Sequence, residues 1–454
     1  MSEKTAEVRL LEYQYQKKTD QIFVLYGTKG CGKEEYLREF LKEKDYFYYR
    51  ARELSDLEQK RVFIRELQEK YSKETAQTEY LECLQSLLED KEGKFVLVID
   101  EFQYLIKKDS DFIQTLSQLK KTEAKRGGTL LILLCSSSVV WVEQKMQAAL
   151  KDAFFLIDDI HKITEKKFLD IVRRFPDYGV SECVEVYGII GGMEEYLNCW
   201  DGEKSTKENV CEQILSADGR LFDEAERYIR MELRELSVYN TILSAIASGH
   251  RKLNELYQYT GYSRAKISVY MKHLMELGVI EKVVSFETGG WENAQKGIYQ
   301  IRHTFINFWF KFVFPYLSDL YLYTPQEFYE HHIEGALEEY LNRYFIGVCM
   351  EYMELLDQIH KLPVEIKKIG TWIGKQGNID IIAQNSIREN VVGICNWSEE
   401  KMSYARYEQL EELLKQARIK AKHYFLFSAK AFDEELIKKS EEDERFSLID
   451  MTEL

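Results

Sequence analysis

Short unbroken apolar runs alternate with longer amphipathic stretches along the first third of the chain, a pattern that predicts strands set between helices. Ile22–Tyr26, Phe95–Ile99 and Thr129–Cys135 are continuous runs, as expected of strands buried on both faces of a parallel sheet. Phe47–Tyr49 reads as a further strand, and Ala153–Ile157 (AFFLI) as another. Between them, Glu53–Glu89 carries apolar residues at helical spacing, first Leu54, Leu57, Ile64 and Leu67, then Leu81, Leu84 and Leu88. Residues 1–20 are charged and expected to be helical, and Gly188–Leu197 reads as a turn opening a helix. After Glu235 the pattern changes. Val238–Ala247 and Lys252–Tyr257 predict two helices, Thr260-Gly261-Tyr262 a turn, and Ser263 the N-cap of a third helix that runs to Leu277 and ends at Gly278. Strands near Val279–Phe286 and Gly297–Ile301 flank Gly289-Gly290. The aromatic run from Phe305 to Phe314 reads as a packing helix, and residues 319–454 as helices followed by strands.

The first strand leads into chemistry. Gln21–Phe40 (QIFVLYGTKGCGKEEYLREF) is a strand, a glycine-rich loop and a helix opened by Lys33, the layout of a P-loop. In such a loop the backbone N–H groups of Gly27, Thr28, Lys29, Gly30, Cys31 and Gly32 and of the helix start wrap a phosphate chain, and Lys33 reaches the β- and γ-phosphates. Glycines let the backbone adopt conformations closed to other residues and approach the phosphates. Cys31 reads as a small residue that fits, with redox inhibition as the alternative. The position after the lysine normally carries a hydroxyl that ligates Mg²⁺; here it is Glu34. Downstream, Phe95–Glu101 (FVLVIDE) is an apolar strand ending in two carboxylates, the Walker B form. Asp100 is expected to hold Mg²⁺ and Glu101 to orient or activate the attacking water.

Composition narrows the setting. With 454 residues, two to three domains are expected. The net charge of −15 argues against nucleic-acid binding by overall charge, so any such contact must be local. The helix–turn–helix and paired strands have the layout of a winged helix-turn-helix, and Glu235–Pro315 holds nine Lys/Arg against six Asp/Glu, a net +3. Arg264 and Lys266 open its third helix, where a recognition helix meets a DNA groove; the same module also serves protein partners. Eight cysteines include no CxxC pair, which argues against zinc and suits a reducing cytoplasm. The start has no signal-peptide pattern, and no apolar run is long enough to span a membrane.

The P-loop, LVIDEFQYL (97–105), LCSSS (134–138), GGMEEYL (191–197), LFDEAERYIRMELRE (221–235), YNTILSAIASG (239–249), GIYQIRHTFINFWFKFVFP (297–315), NIDIIA (378–383) and FLFSAKAF (425–432) occur in an order that resembles the archaeal-type ATPase family. The resemblance implies an α/β chain: an AAA+-like P-loop parallel-sheet domain with a helical lid (1–225), a winged helix-turn-helix (226–318), and an α/β restriction-endonuclease-like domain (319–454). It also implies ATP and Mg²⁺ as cofactors and allows an oligomer. Typical members carry Thr or Ser where this chain has Glu34. In AAA+ ATPases a polar residue at the end of the strand Thr129–Cys135 touches the γ-phosphate; Ser137 is assigned there, with helix capping as the alternative. A nuclease of the PD-(D/E)xK type needs an Asp, a Glu-x-Lys on the next strand and an upstream helix Glu. Asp380 and Trp397 match that pattern, but Ile394, Asn396 and Ile346 stand at the other three catalytic positions. Nuclease activity is therefore expected to be absent.

Glu34 leaves two readings. Either its carboxylate supplies an oxygen to Mg²⁺ and hydrolysis survives, or Mg²⁺ is misplaced and the domain binds nucleotide weakly or without turnover. Nucleotide binding with slow or impaired hydrolysis, coupled to DNA or protein binding, is the favoured expectation, and a DNA- or partner-binding module whose nucleotide site does not function is the alternative.

Overall fold

Gln21–Tyr26 (β1) is buried along its whole length, because it lies inside a sheet rather than at an edge. The computed structural model describes residues 5–71, 79–89, 91, 93–106, 111–126, 129–232, 235–286 and 297–450. They fall into two compact units, Met1–Glu165 and Lys166–Leu454.

In the first unit, β1, Tyr46–Arg50 (β2), Lys94–Asp100 (β3), Thr129–Ser136 (β4) and Asp159–Lys162 (β5) form a parallel sheet in the order β2-β3-β4-β1-β5. Alternate residues face opposite ways, as strand geometry requires. Ile22, Val24, Leu97, Ile99, Ile132 and Leu134 join one core with helices Asp56–Tyr71 and Tyr80–Leu88. Phe23, Leu25, Val96, Val98, Leu131 and Leu133 join the other with helices Ala6–Gln16 and Lys33–Leu41. Helices on both faces account for the unbroken apolar middles of the three central strands.

The AFFLI segment is not a strand. Lys151–Leu156 forms a 3₁₀ turn, and Phe155 is 78% exposed. The strand comes three residues later, at β5, whose sequence is polar. Asp158 sets its start: its N–H donates to Ile22 O at 2.8 Å, and its carboxylate accepts Ile22 N–H at 2.6 Å. An edge strand needs backbone pairing on one side only and tolerates polar residues, so hydrophobicity pointed to the wrong segment.

The second unit begins with helices whose core, from Phe168 onward, is continuous with that of the remaining chain. The boundary expected at residue 225 thus lies inside this unit. Helices Leu236–Ala247, Leu253–Thr260 and Arg264–Glu276 precede the antiparallel pair Ile280–Val284 (β6) and Gly297–Ile301 (β7). Ser263 caps the third helix, accepting Lys266 N–H at 3.2 Å, and Gly278 takes a φ of 70° just past its end. The wing expected at Gly289-Gly290 lies outside the described residues. The aromatic run from Phe305 to Val313 is helical and packed into the core. After the long helix Glu334–Gln358 come Lys368–Ile373 (β8), Asn378–Gln384 (β9), Asn390–Asn396 (β10), the short Lys401–Met402 (β11), Ala421–Ser428 (β12), the short Ala431–Phe432 (β13) and Phe446–Asp450 (β14). The main sheet runs β14-β12-β10-β9-β8, with β10, β12 and β14 parallel and β8 and β9 antiparallel. No helix among the described residues is long and apolar enough to cross a membrane.

Candidate functional site at the P-loop

β4 lies between β1 and β3, so the C-terminal ends of these three strands converge. In open α/β sheets that edge is where ligands bind. The P-loop leaves β1, Asp100 and Glu101 end β3, and Ser136 and Ser137 end β4.

The loop needs its glycines. Gly30 and Gly32 have φ of 82° and 91°, and Gly32 occupies the N-cap of helix Lys33–Leu41. A Cβ on Gly27 would meet Ile163 O at 2.7 Å and Cys31 Sγ at 2.8 Å. Gly27 N–H donates to Ser136 O at 3.2 Å and Cys31 N–H to Thr28 O at 3.2 Å, so loop and β4 are tied. Thr28 and Lys29 are partly exposed. Cys31 is buried, and burial pushes its thiol up to about 11, which makes it a poor nucleophile. Glu34 sits half-buried in the first helical turn.

Lys33 is 1% exposed, with its Nζ 3.5 Å from Asp100 Oδ1 and 3.7 Å from Glu101 Oε1. Burial disfavours its charge, but Asp100, then Glu101 and Glu34, outweigh that and raise its pKa. Neither Lys33 Nζ nor Asp100 Oδ1 has a hydrogen-bond partner, although both are buried. Asp100 is instead held through Oδ2, which accepts the Tyr48 hydroxyl at 2.8 Å and lies 3.6 Å from Arg50 Nε. Burial and then Asp100 raise the Tyr48 pKa.

Glu101 has a φ of 53°, a left-handed backbone for a residue with a Cβ, at a strand end aimed into the site. Its Oε2 accepts Gln103 Nε2 at 2.6 Å, Ser137 N at 3.1 Å and Ser137 Oγ at 2.9 Å. Burial alone would raise its pKa; Lys33 and these hydrogen bonds overcome that and lower it. The Ser137 hydroxyl is thus directed at the carboxylate.

The structure brings together Gly27–Lys33, Asp100, Glu101 and Ser137, all named from sequence. It adds Tyr48, Arg50 and Gln103. Arg50 faces Asp100 across the β2–β3 register, half-exposed, with its guanidinium 3.9 Å from Glu101 Oε1. The signal was a cation and a tyrosine closing a strand beside the carboxylate strand, but it can be used only once strand order is known.

The other predicted residues lie in the second unit. Arg264 and Lys266 stack on tyrosines of their own neighbourhood, Arg264 at 5.5 Å from the Tyr257 ring and Lys266 at 4.7 Å from that of Tyr262. Asp380 Oδ2 accepts Cys395 N–H at 3.0 Å, and burial raises its pKa. Asn396 spends its amide on Glu399 O at 3.0 Å and Ser428 Oγ at 3.1 Å. Ile394 is buried, and Trp397 packs on Phe345 at 5.3 Å.

Residues 2–199 match the model of an ATPase domain found predominantly in Archaea. Residues 309–435 match that of a family of archaeal and bacterial proteins of unknown function. An uncharacterized protein of Methanocaldococcus jannaschii is 27% identical over 386 residues, covering 84% of this chain and 83% of its own length. The Walker-type ATPase of Pyrococcus abyssi superposes with a TM-score of 0.48 at 17% identity, over 68% of this chain and 96% of that one. The ORC2 protein of Aeropyrum pernix, solved as ADPNP–ADP complexes, gives a TM-score of 0.42 at 11% identity, over 70% and 94%. Residues 2–199 thus carry an ATPase domain of the archaeal type, and residues 309–435 the domain shared with that family of archaeal and bacterial proteins.

Proposed function

We propose that the chain binds ATP with Mg²⁺ at the P-loop, hydrolyses it slowly, and couples nucleotide state to binding of DNA or a protein partner through its second unit. The observation that carries this reading is the pair of buried, unsatisfied atoms Lys33 Nζ and Asp100 Oδ1, 3.5 Å apart above a glycine loop. Buried polar groups are normally satisfied, so such a pair suits a site built for a ligand. The residues fit the cofactors: backbone N–H groups of Gly27–Gly32 and the Lys33 ammonium for the phosphates, Asp100 for Mg²⁺. Bound Mg²⁺ supplies charge neutralisation at the phosphates. Glu101 is read as the residue that orients or activates the attacking water.

Residues 226–318 are read as a winged helix and 319–454 as a nuclease-like domain that binds without cutting. Ile394 and Asn396 offer neither the carboxylate nor the ammonium that cleavage needs. The protein is expected in the cytoplasm, and an oligomer is compatible with the fold.

ATP calorimetry with and without Mg²⁺ on wild type, Lys33→Ala and Glu34→Thr tests the site. Binding lost in Lys33→Ala, with Mg²⁺-dependent phosphate release lost in Glu101→Gln, is the expected result. Binding by Glu34→Thr alone, and not by wild type, would favour the second reading that Glu34 supports, a binding module without a working nucleotide site. Electrophoretic shift with Arg264→Ala and Lys266→Ala tests the DNA contact; binding unaltered by both removes that helix from the reading. Metal-dependent DNA cleavage lost in Asp380→Ala would overturn the absence of nuclease activity.

A further inference from the structure

A cavity of about 180 Å³ in the second unit is lined by Arg251, Lys311 and Arg343, together with Asn307, Glu339 and Tyr340. Three separate stretches deliver the cations. Arg251 follows helix Leu236–Ala247 across the turn at Gly249, whose φ is 98°. Lys311 lies on the helical segment Trp309–Val313, and Arg343 on the long helix Glu334–Gln358. Strand β7 fixes two of them: Arg251 O accepts Tyr299 N–H at 2.7 Å, and Arg343 Nη2 donates to Ile301 O at 2.7 Å.

These charges are poorly paired. Among the described residues, neither the Arg251 guanidinium nor the Lys311 ammonium has a side-chain hydrogen bond or ion pair, and the nearest carboxylate to Arg343 is Glu281 at 4.0 Å. Glu339 is the one acid in the lining, so three cations against one carboxylate leave a net +2. Burial, and then Arg343, hold the Arg251 guanidinium below its ordinary range. Gathering like charges around a concave space is unfavourable unless an anion sits among them.

We propose that this cavity binds the phosphoryl group of a small phosphate monoester. A monoester carries about −1.5 to −2 at neutral pH, which matches the lining, whereas a diester of a nucleic-acid backbone carries a single charge. Guanidinium forks suit phosphate oxygens. The volume is below the roughly 300–1,000 Å³ of drug-sized ligand sites, so it encloses a phosphoryl group and little more. The site is distinct from the P-loop, and its failure would leave the nucleotide reading untouched.

Calorimetric titration of the full chain with glycerol 3-phosphate, inorganic phosphate and a short DNA duplex, at low ionic strength, tests the assignment. The P-loop contribution is common to all variants, so the informative signal is the part lost on substitution. Glycerol 3-phosphate and inorganic phosphate are expected to show a saturable component weakened about tenfold or more by Arg251→Gln, and a few-fold by the exposed Lys311→Gln. Without ligand, both variants should melt at the wild-type temperature or above it, because each removes like-charge repulsion; a merely structural role would lower it. Phosphate binding unchanged in both variants, or no saturable phosphate component at all, overturns the proposal. So does saturation by the duplex alone with the same residue dependence.

Discussion

Replacing Lys33 by Met removes the one ammonium that faces both buried carboxylates and keeps the side-chain volume. With Nζ at 3.5 Å from Asp100 and 3.7 Å from Glu101, each attraction is about 4–5 kcal/mol at an effective dielectric of 20. Desolvation offsets much of that, and Arg50 remains beside the carboxylates, but Asp100 is fully buried and Glu101 nearly so. Removing one partner of a buried pair leaves an uncompensated charge, so the nucleotide-free variant should lose about 3–5 kcal/mol at pH 7. The sign with pH is opposite to wild type. In wild type the folded pKa of Glu101 is depressed, so its stabilisation is present above the unfolded carboxylate pKa and is lost as pH falls through the folded one. In the variant the folded pKa of Glu101 rises with the loss of Lys33, so its protonation relieves the repulsion and the deficit shrinks from pH 7 to pH 5. Hydrogen exchange of peptides covering β3 and β4 measures the first unit alone. A deficit below about 1 kcal/mol at pH 7, or one that does not change with pH, would refute the reasoning.

Three further outcomes are expected. Glu34→Thr should tighten Mg²⁺-dependent ATP binding by about tenfold or more, since repulsion at ~4 Å is several kcal/mol before the metal and solvent screen it; unchanged calorimetric affinity would clear Glu34 of any role. Tyr48→Phe deletes the 2.8 Å hydrogen bond to Asp100 and should cost about 1.5–3 kcal/mol in denaturant unfolding of the first unit, the usual value for a bond to a charged group. His303 is buried, its Nδ1 accepts Ile306 N–H at 3.3 Å, and burial pushes its pKa down to about 4. Its stabilisation is therefore complete above about 6.5 and lost as pH falls, about 2.5 kcal/mol by pH 4.5. His303→Asn keeps an N-cap that does not titrate and should flatten that part of the pH–stability profile of the second unit.

The sequence was most legible where strands are central and apolar on both faces. β1, β3 and β4 stood out as continuous runs, and the P-loop and the Asp100-Glu101 pair followed from their ends. Lateral information was hidden. That Tyr48 and Arg50 touch Asp100 depends on β2 lying beside β3 with Arg50 opposite Asp100, and pairing partners do not show in hydrophobic periodicity. The edge strand β5 failed the opposite test, because its identity rests on Asp158 gripping the end of β1 rather than on apolar residues. Asp380, Ile394 and Asn396 were placed on neighbouring strands correctly, yet only the structure shows the Asn396 amide engaged in a local turn.

In this conformation the two cations Lys33 and Arg50 face the two carboxylates Asp100 and Glu101 at ion-pair distance, although Lys33 Nζ and Asp100 Oδ1 make no hydrogen bond. A phosphate chain drawn to Lys33 competes directly with both carboxylates, so entry of a nucleotide must loosen contacts that tie α-helix Lys33–Leu41 to the end of β3. Ser137 and Gln103 hold Glu101 through its other oxygen, Oε2, so the carboxylate keeps partners that do not depend on Lys33. On the function proposed above, nucleotide binding would act on the ends of β3 and β4 through these contacts, a physical basis for a nucleotide-dependent signal that does not require fast hydrolysis.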